Sequence, residues 1–150
     1  MGEDLDPLEK IRELFLSQRL AVLSTRNADQ PYSNLICFVA SDDLRHILFA
    51  TTRSTRKYAN LMRDARVALL VDNRSNDPAD TFRSLAVSAL GVARELQGNA
   101  AAQACATYVA RHPHLEDFVS SPSTALLCLD VEKYILVRRF QDVTELRVTP

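Results

Sequence analysis

Residues 46–73 read HILFATTRSTRKYANLMRDARVALLVDN and change character twice within one unbroken run. An apolar segment, RHILFAT at 45–51, has the β-branched and aromatic content of a strand, and RVALLVDN at 66–73 is a second one. Between them a hydroxyl-rich turn leads into a short helix predicted from Thr55 to Arg63, whose first turns carry Arg56 and Lys57. Cations at a helix N-terminus oppose the helix dipole. They become intelligible if an anion sits among Arg53, Arg56, Lys57, the Thr and Ser hydroxyls and the free N–H groups of the first turn. From Leu44 through Arg63 there are five Lys and Arg residues and no acidic one, so the local sequence supplies no compensating charge. Tyr58, Leu61 and Met62 are expected to pack inward, while Arg56 and Asn60, one turn apart, address a common polar region.

Outward from this segment the pattern is that of a β-rich fold. LAVLST at 20–25 and YSNLICFVA at 32–40 read as strands joined in a hairpin across RNADQP. LAVSALGVARE at 85–95 is another, and its Ala and Gly residues permit close approach of neighbouring backbone. TALLCLDV at 124–131, YILVRRF at 134–140 and a shorter TELRV segment complete the strand series. Helices are predicted at Pro7–Ser17, capped by Asp6 with Glu9 completing a capping box, at Ala100–His112, and over a short span at 115–120. At least six strands with few helices favour a small barrel over a doubly wound parallel sheet.

Length and composition narrow the function. A chain of 150 residues with 47% hydrophobic and 25% charged residues fits one domain, 1–150, able to bury its own core. Its formal charge of −1 gives no global reason to expect nucleic acid. Only Gly2, Gly91 and Gly98 are present, so neither a G-x-G-x-x-G dinucleotide loop nor a P-loop can be assembled. Cys37, Cys105 and Cys128 lack paired metal-ligand spacing, and an odd count argues against a disulfide framework, which points to a reduced cytoplasmic chain and no metal. No apolar run is long enough for a membrane span, the acidic N-terminus does not read as a secretory signal, and Gly2 lacks the Ser or Thr of a myristoylation motif.

The remaining polar segments are secondary candidates. DNRSNDPADT at 72–81 contains Asn73, Arg74, Ser75 and Asn76, which can offer amides, hydroxyls and a cation to a ligand edge if the loop lies beside the basic turn. Ser33 and Asn34 interrupt the apolar strand YSNLICF, where backbone groups can face a flat ligand or a solvent-exposed edge. His46, His112 and His114 are scattered, Cys37 and Cys128 sit in apolar strands, and sequence order secures no nucleophile–base pair. A cofactor that brings its own chemistry is the economical expectation.

On these residues the strand, basic turn and strand resemble the FMN-binding split-barrel family related to pyridoxamine 5′-phosphate oxidase, over most of residues 18–95. The resemblance implies a mainly β, six-stranded antiparallel split barrel with peripheral helices, and a homodimer with two FMN sites at its interface. It implies that Arg56 and Lys57 meet the FMN phosphate, that Thr51, Thr52 and Asn60 fix the phosphate or ribityl end, and that Asn60 stands where the oxidase has a glutamine. Ser33, Asn34, Leu35 and Ile36 would border the isoalloxazine, with Asn73, Arg74 and Ser75 completing the site. The oxidase's R-x-V-L-L-K segment is answered here by NLICFV, with Asn34 at the arginine position and Val39 at the lysine position. Its C-terminal tryptophan has no counterpart in a chain without Trp, and its R-x-H segment has no match in YILVRRFQDVTELRV. The resemblance therefore implies FMN-mediated hydride or electron transfer with a small-molecule substrate or electron donor, and no specific pyridoxamine phosphate chemistry. Flavin binding without turnover and, more distantly, heme binding through one of the histidines are the alternatives. No catalytic acid or base is assigned.

Overall fold

A computed structural model describes residues 6–148; Gly2 and the acidic N-terminal residues before Asp6 lie outside them. The chain order is α1 (Pro7–Ser17), β1 (Leu20–Asn27), β2 (Gln30–Cys37), β3 (Val39–Ala40), β4 (His46–Thr52), α2 (Arg56–Arg63), β5 (Arg66–Asp72), α3 (Asp80–Arg83), β6 (Ala86–Glu95), α4 (Gly98–Arg111), α5 (Glu116–Ser120), β7 (Thr124–Arg138) and β8 (Asp142–Arg147). The described strands form one antiparallel sheet of eight, ordered β2-β1-β5-β6-β7-β4-β3, with β8 also on β7. This corrects the expected six. The apolar run 32–40 divides at Phe38, which is buried, and the C-terminal TELRV segment adds a strand against the second half of β7.

The expected break between 131 and 134 is also absent, because β7 runs through it. Leu90 pairs with Lys133 and Gly91 with Val131, so Glu132 is the extra residue of a β-bulge and its carboxylate is exposed. The bulge shifts the inward alternation by one position: Leu127, Leu129 and Val131 are buried before it, Tyr134 and Leu136 after it. One half of β7 then pairs with β4 and the other with β8, while β6 pairs along both.

Two apolar cores lie on opposite faces of this curved sheet. The inner one joins Leu23, Phe38, Ile47, Phe49, Leu69, Val87, Leu129 and Tyr134 to Ile11, Leu14 and Phe15 of α1, with Phe15 edge-on to Phe38 at 5.5 Å between ring centres. Helix α1 therefore covers the barrel as its apolar stripe predicts. Asp6 caps it, accepting from the Leu8 amide at 3.4 Å, and Glu9 pairs with Arg12. The smaller core on the outer face seats Ala104 and Tyr108 of α4 and Val119 of α5 against Ala50 and Leu126. Among the described residues no helix is long and apolar enough to cross a membrane.

Candidate functional site

Helix α2 packs on β1 at the point where β4 ends, and this junction gathers the basic turn. Thr55 caps the helix, its hydroxyl accepting from the Tyr58 amide at 3.2 Å. The Thr51 and Thr55 hydroxyls meet at 2.7 Å, and both lie within reach of the Thr52 carbonyl, at 3.1 and 3.0 Å. Thr51 is buried, whereas Thr52 is half-buried with its hydroxyl 3.2 Å from that of Ser54. The hydroxyl-rich sequence thus builds a rigid cap, which leaves the Arg56 and Lys57 amides at the unsatisfied start of the helix.

Lys57 leans across to β2. With the Asn34 amide oriented to satisfy both of its ends, Asn34 donates to the Leu23 carbonyl at 3.2 Å and accepts from Lys57 Nζ at 2.8 Å. Partial burial pushes the Lys57 ammonium below the usual lysine range. Arg56 is exposed and lies 5.6 Å from the centre of the Tyr32 ring, also on β2. Among the described residues neither cation meets a carboxylate. Arg53 differs: it donates to Glu95 on β6 at 2.8 Å and to the Pro122 carbonyl at 2.8 Å. Glu95, also bonded by the Tyr58 hydroxyl at 2.6 Å, is held below the usual carboxylate range first by that bond and then by Arg53. The compensation missing from the local sequence is supplied for Arg53 by a distant strand, and Arg56 and Lys57 are the cations left at the helix start.

The other predicted residues divide. Asn60 is only 2% exposed and donates to the Thr25 hydroxyl at 2.9 Å, tying α2 to β1 instead of sharing the surface of Arg56. Met62, expected to pack inward, is exposed, because Asn60 and Leu61 take the buried face. On β2 the alternation sends Asn34 and Ile36 to one face and exposed Ser33 and Leu35 to the other, with Ser33 3.1 Å from Ser24 between their hydroxyls. The 73–75 loop closes on itself. Asn73 Oδ1 accepts from the Leu85 amide at 2.7 Å, Arg74 pairs with Asp72 at 2.9 Å, and the Ser75 amide and hydroxyl donate to Asp80 at 2.8 and 3.0 Å. Among the described residues no hydrogen bond or ion pair joins this loop to the basic turn.

One cluster was not foreseen. The β4–β7 register sets His46 opposite Asp130, with Nδ1 to Oδ1 at 2.9 Å, and Cys128 lies two residues before Asp130 on the same face. Arg94 of β6 donates through Nε to Asp130 Oδ2 at 2.7 Å. Burial raises the Asp130 carboxyl, but the bonds from Arg94 and His46 outweigh it and leave the group below its ordinary range. Burial, reinforced by Asp130, pushes the Cys128 thiol up to about 11, and burial also raises Cys37, in keeping with a packing role for Cys37. The only local signal was the alternation C-x-D in 128–130; the histidine arrives through strand pairing alone.

An antiparallel half-barrel with a capped, doubly cationic helix start at its rim defines a protein of the split-barrel class. Residues 7–138 match the family described as pyridoxamine 5′-phosphate oxidase, and the chain belongs to that family. No curated protein sequence matches it. Among solved structures it is similar to a heme binding protein from Mycobacterium smegmatis, with 16% identity and a TM-score of 0.83 over 95% of this chain and 59% of that one. It is also similar to General Stress Protein 26 from Bacillus anthracis, with 21% identity and a TM-score of 0.73 over 93% and 97% of the two chains. A FAD-binding protein from Mesorhizobium loti aligns at 16% identity and a TM-score of 0.68, over 88% and 92%. The chain thus spans 59% of the length of the Mycobacterium protein, and at these identities the likeness is one of fold.

Proposed function

We propose that the chain is an FMN-binding oxidoreductase that works as a homodimer, with Arg56 and Lys57 holding the FMN phosphate. The observation that carries this reading is the pair of cations without carboxylate partners at the start of α2, one of them drawn below its normal basicity by burial. A phosphate placed there gains two charge-assisted contacts and the first-turn amides, and relieves the desolvated ammonium. Lys57 spends one N–H on Asn34 and keeps two for an anion. The donor set therefore fits a phosphate-bearing flavin.

Thr51 and Thr52 act here through the cap they build, and Asn60 through the helix position it fixes. Asn34 aims Lys57 along β2, whose backbone at 33–36 offers an edge for the isoalloxazine. Asn73, Arg74 and Ser75 are braced within their own loop, and a second copy of the chain would bring them to the flavin. Bound FMN would supply hydride or electron exchange at its ring. What this chain provides is binding and orientation: the carboxylate beside the basic turn, Glu95, is committed to Arg53 and the Tyr58 hydroxyl. A flavin-binding protein without turnover is the second reading, favoured by the neutral Asn34 and Val39 at positions that are charged in the oxidase pattern.

The test compares FMN with riboflavin by fluorescence titration of the wild type and the Arg56→Ala/Lys57→Ala variant. Wild type should prefer FMN, and the variant should lose on the order of a hundredfold or more in FMN affinity, two charged hydrogen bonds at about 1.5–3 kcal/mol each, while riboflavin binding changes little. Equal binding of both flavins by the wild type would remove the phosphate assignment. Anaerobic reduction of the FMN complex by NADH or NADPH, followed by a screen of acceptors, separates an enzyme from a carrier.

A further inference from the structure

On the face of the sheet covered by α4, strand pairing brings three donor atoms of different chemistry together. His46 Nδ1, Cys128 Sγ and Asp130 Oδ1 all lie within 4.8 Å of one another. We propose that these three side chains bind one divalent transition-metal ion of the zinc type, with the fourth coordination position open to the groove beneath α4.

Tetrahedral zinc, with bonds of about 2.0–2.3 Å, holds its ligand atoms roughly 3.3–3.8 Å apart. The nitrogen–oxygen pair stands at 2.9 Å and the sulfur–oxygen pair at 3.7 Å, so side-chain adjustments of about 1 Å suffice. A set of imidazole, thiolate and carboxylate suits zinc or cobalt and excludes the all-oxygen shells of magnesium and calcium. Cys128 and Asp130 are fixed two residues apart on a strand paired on both sides. Arg94 binds Asp130 most closely through Nε to Oδ2, at 2.7 Å, and holds Oδ1 toward the other two donors. Its Nη2 donates more weakly to that Oδ1 at 3.3 Å and to Cys128 Sγ at 3.8 Å, which orients the carboxylate and the sulfur, and the ion would take over these two contacts. The thiolate and carboxylate together neutralise a dication, and the guanidinium leaves a single net positive charge. On binding, the ion displaces the Cys128 proton to solvent and replaces the His46–Asp130 hydrogen bond.

The open side is visible in the surface. His46, Cys128 and Arg94 line a groove of about 300 Å³ whose apolar walls include Leu48, Leu96 and Ala104. His46 and Asp130 also border a second depression of about 540 Å³, where Arg45, Glu132 and Arg147 are the remaining charged groups. The cluster shares no residue with the basic turn.

The chelator-stripped protein, titrated with Co²⁺ as the probe and then with Zn²⁺, tests this. One equivalent of cobalt should bind with tetrahedral d–d bands and a sulfur-to-cobalt charge-transfer band, and zinc should displace it. His46→Ala, at a half-exposed position, should weaken binding by at least about tenfold. Cys128→Ala should remove the charge-transfer band, and Cys37→Ala/Cys105→Ala should retain it. Absence of saturable binding, a spectrum without the sulfur band, or binding indifferent to His46→Ala would overturn the proposal and leave the cluster as an ion-pair network only.

Discussion

His112 shows how one buried side chain couples the fold to pH. It is fully buried, its Nε2 lies 2.8 Å from the Phe38 carbonyl, and Nδ1 has no partner among the described residues. Burial, aided by the nearby positive charges of Arg111 and Arg19 and by His114, holds its basicity below that of a free histidine. The folded state thus prefers the neutral ring, while the unfolded chain takes up a proton near pH 6.5. The unfolded state binds more protons in this window, so the contribution is complete above about pH 6.5 and is lost as pH falls toward the depressed folded value. Urea midpoints of the wild type should therefore drop between pH 7.5 and 5.5. His112→Gln, which keeps a donor for Phe38 but does not titrate, should be less stable at pH 7.5 by about 1–3 kcal/mol and show a shallower pH slope. An unchanged slope would assign the acid sensitivity elsewhere.

At the scale of elements, Gly91 controls the seam between β6 and β7. A Cβ built there would stand 2.1 Å from the Asp130 carbonyl oxygen, a backbone atom that cannot swing aside. Gly91→Ala should cost about 1–3 kcal/mol or more by forcing the bulge open. Gly98, at φ +58° with open space around its Cα, should lose only about 1–2 kcal/mol on conversion to alanine, and paired denaturation curves rank the two. The same seam explains the limits of sequence reading. Strand β5 was legible from its β-branched apolar run at 67–71, and β6 from the alternation of Leu85, Val87 and Ala89. Strand β7 looked like two strands because Glu132 and Lys133 interrupt its apolar run, and only pairing with β6 reveals a charge placed on a bulge. Within the candidate site the helix start and its two cations followed from local composition. Asn60 and Arg53 did not, because their partners Thr25 and Glu95 are remote in the chain and invisible to periodicity.

For the molecule as a whole, the edge strand β2 and its neighbour β1 present Leu35, 62% exposed, and Leu20, 53% exposed, beside the proposed flavin edge. A homodimer that closes over this face would cover both and complete the FMN enclosure. Light scattering across a concentration series should show a dimer stabilised by FMN, and Leu35→Asp should shift it toward monomer and weaken FMN binding by about tenfold or more. A monomer with full FMN affinity would contradict the shared site. The place of β7 in the sheet also sets a timetable for synthesis. The β1–β2 hairpin and the β5–β6 pair can form soon after they emerge, but Thr52 must wait for Thr124. At ribosomal speeds that delay is on the order of ten seconds. Throughout it β4, carrying Ile47 and Phe49, lacks the neighbour that will bury it, and is an open template for another nascent chain. That exposure ends only once β7 has left the ribosome.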